Sequence, residues 1–211
     1  IAAPAGPICA GTSVTFTATS NIITMVVSAA LPASVSVIAA PAGPICAGTS
    51  VTFTATPVNG GVPTYQWLVN GTNVAGATSS TYTSSTLNNG DVITVSMTSS
   101  LSCATGSPAT SAPITMTVNP LVTASVSITS SPSGTICAGT SVTFTATPTN
   151  GGSTPTYQWQ VNGLNIAGAT SSTYTSSTLN NGDNVSVIMT SNANCVTASP
   201  ATSNIILMSI T

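Results

Sequence analysis

Seven side chains in this 211-residue sequence could take part in ionic, redox or metal chemistry near neutral pH: Cys9, Cys46, Cys103, Cys137, Cys195, Asp91 and Asp183. Lysine, arginine and histidine are absent, leaving a formal charge of −2 and 1% charged residues. That inventory excludes side-chain salt bridges, lysine isopeptide cross-links, a histidine general base or triad, and a basic surface for nucleic acid. With no histidine and no clustered carboxylates to share an ion, the cysteines point to disulfides in an oxidising, extracellular setting rather than to a metal, and no cofactor is expected.

The cysteines fall at fixed places in a repeat. Ile45-Cys46-Ala47-Gly48-Thr49-Ser50-Val51-Thr52-Phe53-Thr54-Ala55-Thr56 recurs unchanged from Ile8 to Thr19 and from Ile136 to Thr147. Cys46 and Cys137 lie 91 positions apart, while Trp67 and Trp159, like Cys103 and Cys195, lie 92 apart. The added residue falls where Gly61-Val62-Pro63 becomes Gly152-Ser153-Thr154-Pro155. A unit of that length can bury its own core. The expected domains are therefore 34–120 and 121–211, preceded by an incomplete unit, 1–33.

In that first unit, residues 1–19 duplicate 38–56, after which Ser20-Asn21-Ile22-Ile23 matches the end of a repeat, Ser203-Asn204-Ile205-Ile206. Some 54 residues of a full copy are missing between. Either the natural chain carries a shortened unit or part of a longer repeat is absent from this numbering, and the second is preferred. The opening Ile1, without methionine or a signal-peptide pattern, suggests a processed product or an excerpt.

The elements that must position the cysteines are strands. Val51, Phe53 and Ala55 alternate with threonines, the period of two that separates a buried face from a solvated one. Val35 and Val37 supply a strand before it, and Thr64 to Val69 one after it, closed by Asn70-Gly71, a hairpin dipeptide. Where the copies differ, Leu68 becomes Gln160, while Tyr65, Trp67 and Val69 recur as Tyr157, Trp159 and Val161. Trp67, Trp159, Tyr65, Tyr157, Phe53 and Phe144 are thus the expected core. A short hydroxyl-rich strand and crossing is expected over 73–81, then a turn at Leu87-Asn88-Asn89-Gly90-Asp91, a strand through Ile93, Val95 and Met97, and a last strand through Ile114, Met116 and Val118. Turn signals every 8 to 12 residues and no helical period predict an all-β protein, tandem immunoglobulin-like antiparallel β-sandwiches.

The ordered set Ile-Cys-Ala-Gly-Thr-Ser-Val-Thr-Phe-Thr-Ala, Tyr-Gln-Trp-x-Val-Asn-Gly, Leu-Asn-Asn-Gly-Asp and the cysteine after the sixth strand resembles the tandem immunoglobulin-like repeats of large secreted surface proteins of Bacteroidetes-type bacteria, adhesins and filament proteins among them. The resemblance spans essentially the whole chain. It implies a spacer, adhesin or fibre role and names no ligand.

The cysteines depart from the antibody pattern, in which mid-strand cysteines pin the two sheets. Cys46 precedes the second strand and Cys103 follows the sixth. If the strand order is immunoglobulin-like these strands run the same way, which puts the two cysteines roughly 20 Å apart at about 3.3 Å per residue, whereas a disulfide needs Cα atoms within about 7 Å. Head-to-tail stacking favours Cys9–Cys103 and Cys46–Cys195, leaving Cys137 for a following repeat or molecule. The alternative is Cys46–Cys103 and Cys137–Cys195 within units, with Cys9 left over.

Other candidates reduce to structure. Asp91 and Asp183 read as turn residues rather than calcium ligands, which gather several carboxylates. Tyr82 and Tyr174 read as core rather than as a sugar-binding face, and the outward threonines as ordinary strand residues. Asn70-Gly71-Thr72 and Asn184-Val185-Ser186 match the glycosylation pattern in a chain where chance matches are frequent. At 42% apolar content and a mean hydropathy of +0.46, no uninterrupted apolar run reaches the roughly 18 residues of a membrane helix. A small net charge on a hydroxyl-rich surface favours self-association.

The sequence therefore predicts a non-enzymatic structural repeat of an extracellular filament or long cell-surface adhesin. Its partners would be its own neighbouring repeats or subunits of a homopolymer, with surface glycans as a further class. The alternative is a carbohydrate-binding module of a secreted enzyme.

Overall fold

Alternating valine, phenylalanine and alanine against threonine gives each repeat the central strand of one of its two sheets. The structure, a computed structural model, describes residues 7–15 and 24–211. It divides into two compact units, Ile1–Val118 and Asn119–Thr211.

In the first unit, Val51–Val58 lies between Ser34–Ala40 and Thr81–Ser84 in a three-stranded antiparallel sheet. The facing sheet pairs Thr64–Val69 with Val92–Thr98 along six residues, Trp67 opposite Val95. Thr72–Asn73 extends it on one side, and Ala109–Thr110 and Ile114–Thr115 on the other. The second unit repeats the plan: Ser125–Ser131, Val142–Thr149 and Thr173–Ser176 form one sheet, and Thr156–Val161 with Asn184–Thr190 anchors the other. Each is an immunoglobulin-like antiparallel sandwich, and no helix occurs among the described residues.

The inward faces close over an aromatic triad. Phe53 and Trp67 are fully buried, and Tyr82 stacks on Phe53 at 6.0 Å between ring centroids and on Trp67 at 5.9 Å. Phe144, Trp159 and Tyr174 repeat the cluster at 6.0 and 5.8 Å. Offset and tilted rings at such spacings stabilise beyond the area they bury. Each indole also donates a hydrogen bond across the crossing segment, Trp67 to the Ser79 carbonyl and Trp159 to the Ser171 carbonyl, both at 2.9 Å. Tyr157 is buried and Tyr65 half-buried against the same cores.

Two expected elements differ. The strand expected over 73–81 is confined to Thr72–Asn73, because Trp67 accepts and donates the backbone bonds that a longer partner strand would use: its N–H goes to the Ala77 carbonyl and its C=O takes the Val74 N–H. The last strand is interrupted. Buried Ser111 enters the ladder through its side chain, accepting from the Val95 N–H at 3.1 Å and donating to the Ala112 carbonyl at 3.0 Å, and Ser203 does the same in the second unit. Beyond Thr115 the chain leaves Val92–Thr98, and the Thr117 carbonyl receives the Ile45 N–H instead. The sandwich thereby ties its last strand to the cysteine turn. The part of the first repeat copy that falls at 16–23 lies outside the described residues.

Candidate functional site

The chemistry of the chain sits at the two ends of each sandwich. One end carries the turn after Ile-Cys. In all three copies the threonine three residues on closes it: Thr12 N–H donates to the Cys9 carbonyl, Thr49 to Cys46 and Thr140 to Cys137, at 3.0 to 3.1 Å. The intervening glycines, Gly11, Gly48 and Gly139, adopt φ of +89°, +84° and +78°, a region L side chains resist. Ile8–Cys9 lies parallel to Val27–Ser28, and Thr135–Ile136 parallel to Ser209–Ile210. The shortened copy therefore keeps the cysteine-bearing end of a sandwich.

The opposite end carries the loop between the sixth and seventh strands. Here Leu31–Pro32 runs parallel to Ala104–Thr105, and the Leu31 N–H donates to the Cys103 carbonyl at 2.9 Å. Val122–Thr123 lies parallel to Val196–Thr197 in the same way, with the Val122 N–H on the Cys195 carbonyl at 3.0 Å. An asparagine at φ +52° fixes each entry strand from below: Asn59 donates to the Pro32 carbonyl and Asn150 to the Thr123 carbonyl.

The structure joins Cys9 to Cys103, with Sγ atoms 2.01 Å and Cα atoms 5.3 Å apart. Cys46 and Cys195 are also disulfide-bonded, and Cys137 is free and exposed. Neither intradomain pair is formed, since Cys103 is held by Cys9 and Cys137 carries no disulfide. The bond spans 94 residues, more than one sandwich. It links a turn copied from the repeat's beginning to a loop near the next copy's end.

Each aspartate is used locally. Asp91 accepts the Asn88 N–H on one oxygen and the Asn70 side-chain amide on the other, both at 2.8 Å, while the Val92 N–H donates to the Asn70 carbonyl oxygen. Asp183 is clasped identically by Asn180 and Asn162. The Asn88 backbone bond, then the Asn70 amide, hold the Asp91 carboxyl below its ordinary range, and Asn180 and Asn162 do so for Asp183. Both amide atoms of Asn70 are engaged, and Ser186 of the second glycosylation pattern is buried. Among the described residues no three His, Cys, Asp or Glu side chains group as metal ligands, and no helix is long and apolar enough to cross a membrane.

Sequence reasoning missed the last strand's exchange of partners and the parallel entry strands that frame the cysteine loops. The recurring Ala-Thr-Ser and Val-Thr-Ala triplets gave only a weak signal for either.

No family model matches the chain, and no curated protein matches it. Among solved structures it is similar to the fibronectin(III)-like modules of CbhA from Clostridium thermocellum, with 18% identity, 79% of this chain and 87% of that chain covered, and a TM-score of 0.32. It is similar to the full ectodomain of mouse nectin-like molecule 4 at 13% identity, 89% and 67% coverage and a TM-score of 0.34. The N-terminal eight Ig domains of Down Syndrome Cell Adhesion Molecule align at 14% identity, covering 88% of this chain and 24% of that one, with a TM-score of 0.39. The likeness is one of fold.

Proposed function

We propose that the chain is a load-bearing segment of a head-to-tail array of immunoglobulin-like sandwiches, part of an extracellular filament or long cell-surface adhesin of the Bacteroidetes-like kind, with no catalytic role. The observation that carries this reading is the Cys9–Cys103 bond. Shifted by one repeat, Cys9 becomes Cys46 and Cys103 becomes Cys195, so the same link pairs Cys46 with Cys195 in our reading. Successive loops then overlap, and tension along the chain passes through disulfides before it can unravel a core. A fold lacking lysine and arginine also offers trypsin no cleavage site, which suits a part exposed outside the cell.

Three measurements test this. Pepsin digestion without reductant should release Cys46 and Cys195 in one linked peptide. In single-molecule stretching, the 94 residues between Cys9 and Cys103 should stay locked until reductant frees up to about 330 Å of chain, at about 3.5 Å per residue. Antibody labelling of native material in negative stain should decorate filaments. Labelling confined to dispersed single molecules would sink the array.

A further inference from the structure

Three turns of one sequence stand in the same geometry, and they differ in what their sulfur holds. Cys9 is bonded to Cys103, Cys46 is in disulfide linkage, and Cys137 is an exposed thiol. The backbone bonds that close the free turn match those of the bonded one. Ala10 donates to the Ser28 carbonyl at 2.8 Å and Ala138 to the Thr211 carbonyl at 2.9 Å. Cys9 sits opposite Ser28 in a parallel pair, and Ile136, just before Cys137, sits opposite Ile210. The turn at Cys137 is therefore already in the form that its copy at Cys9 has when linked.

We infer that Cys137 is the covalent attachment point for a further sandwich of this repeat type, taken through the cysteine in the loop between that sandwich's sixth and seventh strands. This rests on the array reading above and names its bonding atom. The recognised chemistry is a loop cysteine followed by a short extended pair, as in Cys103-Ala104-Thr105 and Cys195-Val196-Thr197, held parallel to an entry strand. In the linking step two thiols lose two protons and two electrons to a thiol oxidant, such as oxidised glutathione, and one S–S bond forms. In the chain itself both loop cysteines are already bonded, so the acceptor must come from outside it.

The test supplies one. Full-length Cys9→Ser leaves Cys103 without its partner while Cys137 stays free. In a glutathione redox buffer this variant should form a head-to-tail ladder on a non-reducing gel, with Cys137 and Cys103 recovered in one peptic peptide. The wild type should stay monomeric, and Cys9→Ser/Cys137→Ser should lose the ladder. A wild-type Cys137–Cys137 dimer as the main product would overturn the inference, as would a monomeric Cys9→Ser chain in which both thiols take maleimide. A second arm uses unaltered protein and a peptide covering Ser99 to Pro108 activated as a mixed disulfide at its cysteine. Cys137 should take it about tenfold faster than a scrambled peptide, the preference expected from one or two backbone pairings, and equal rates would refute the match. Either failure leaves the array reading to the imaging test, which does not depend on Cys137.

Discussion

The two sandwiches share a core to within about 0.1 Å in their ring spacings, yet they differ along their rims. Phe53 to Trp67 is 6.2 Å and Phe144 to Trp159 is 6.1 Å. At the edge between first and last strands, however, Asn204 in the second sandwich accepts the Ile128 N–H at 2.8 Å and donates to the Ile128 carbonyl at 3.2 Å. Ala112 stands there in the first and has no amide to offer. Near the opposite end, Asn192 donates to the Ser153 and Thr154 hydroxyls. Its counterpart Ser100 accepts the Val62 N–H instead. The aromatic cluster is the same in both because its volume is fixed by facing residues. The rim varies because different side chains can satisfy the same backbone groups.

The comparison breaks most sharply at the tryptophans. Trp67→Ala removes a fully buried ring and orphans the Ser79 carbonyl, at a cost of about 3 to 5 kcal/mol. Trp159→Ala should cost the same, and the remaining indole then reports on the intact sandwich. Fluorescence in urea should show that signal's midpoint unmoved, and a joint loss would mean the cores are not equivalent, independent units.

A smaller effect separates the sandwiches. Gly61 and Gly152 both have positive φ, +63° and +83°. A Cβ on Gly61 would meet the side chains of Ser100 and Leu101, which can swing aside, whereas on Gly152 it would meet the Asn192 side chain and also the Ala193 backbone nitrogen at 2.6 Å. Overpacking of this kind costs about 1 to 3 kcal/mol, so Gly152→Ala should lie at the upper end and Gly61→Ala at the lower in thermal melts. Asn204→Ala should lose about 1 kcal/mol, read by hydrogen exchange in the second sandwich alone. Ala112→Asn should slow exchange in the first.

What the sequence disclosed follows the same division. Period-two alternation exposed the core strands because burial on one face leaves an apolar record, and Asn70-Gly71 announced its hairpin because both residues need positive φ, +52° and +76° here. The opposite-ends argument for Cys46 and Cys103 needed only strand direction. The broken last strand left no such record. Ser111 replaces a backbone bond with a hydroxyl, and a serine in a serine-rich chain looks like any other. Tyr65 looks identical to Tyr157 in sequence context but is less buried.

The smallest effect concerns protons, and in acid the sandwiches should not differ. Asp91 and Asp183 have equivalent clasps that favour the carboxylate, so their folded pKa values are lowered. Stability from a lowered carboxyl is present above the unfolded value of about 3.9 and is lost as pH falls through the folded value. Burial raises Tyr65, whose contribution is present below the unfolded value of about 10 and is lost as pH rises through the folded one. With no histidine between these limits, the melting temperature should be flat from pH 5 to 8 and fall together for both sandwiches in stronger acid. Asp91→Asn and Asp183→Asn should each flatten the acid limb of its own sandwich, because asparagine cannot take up the proton. A sloping profile near neutrality, or an acid limb unchanged by either substitution, would show that these clasps are not what couples the fold to pH.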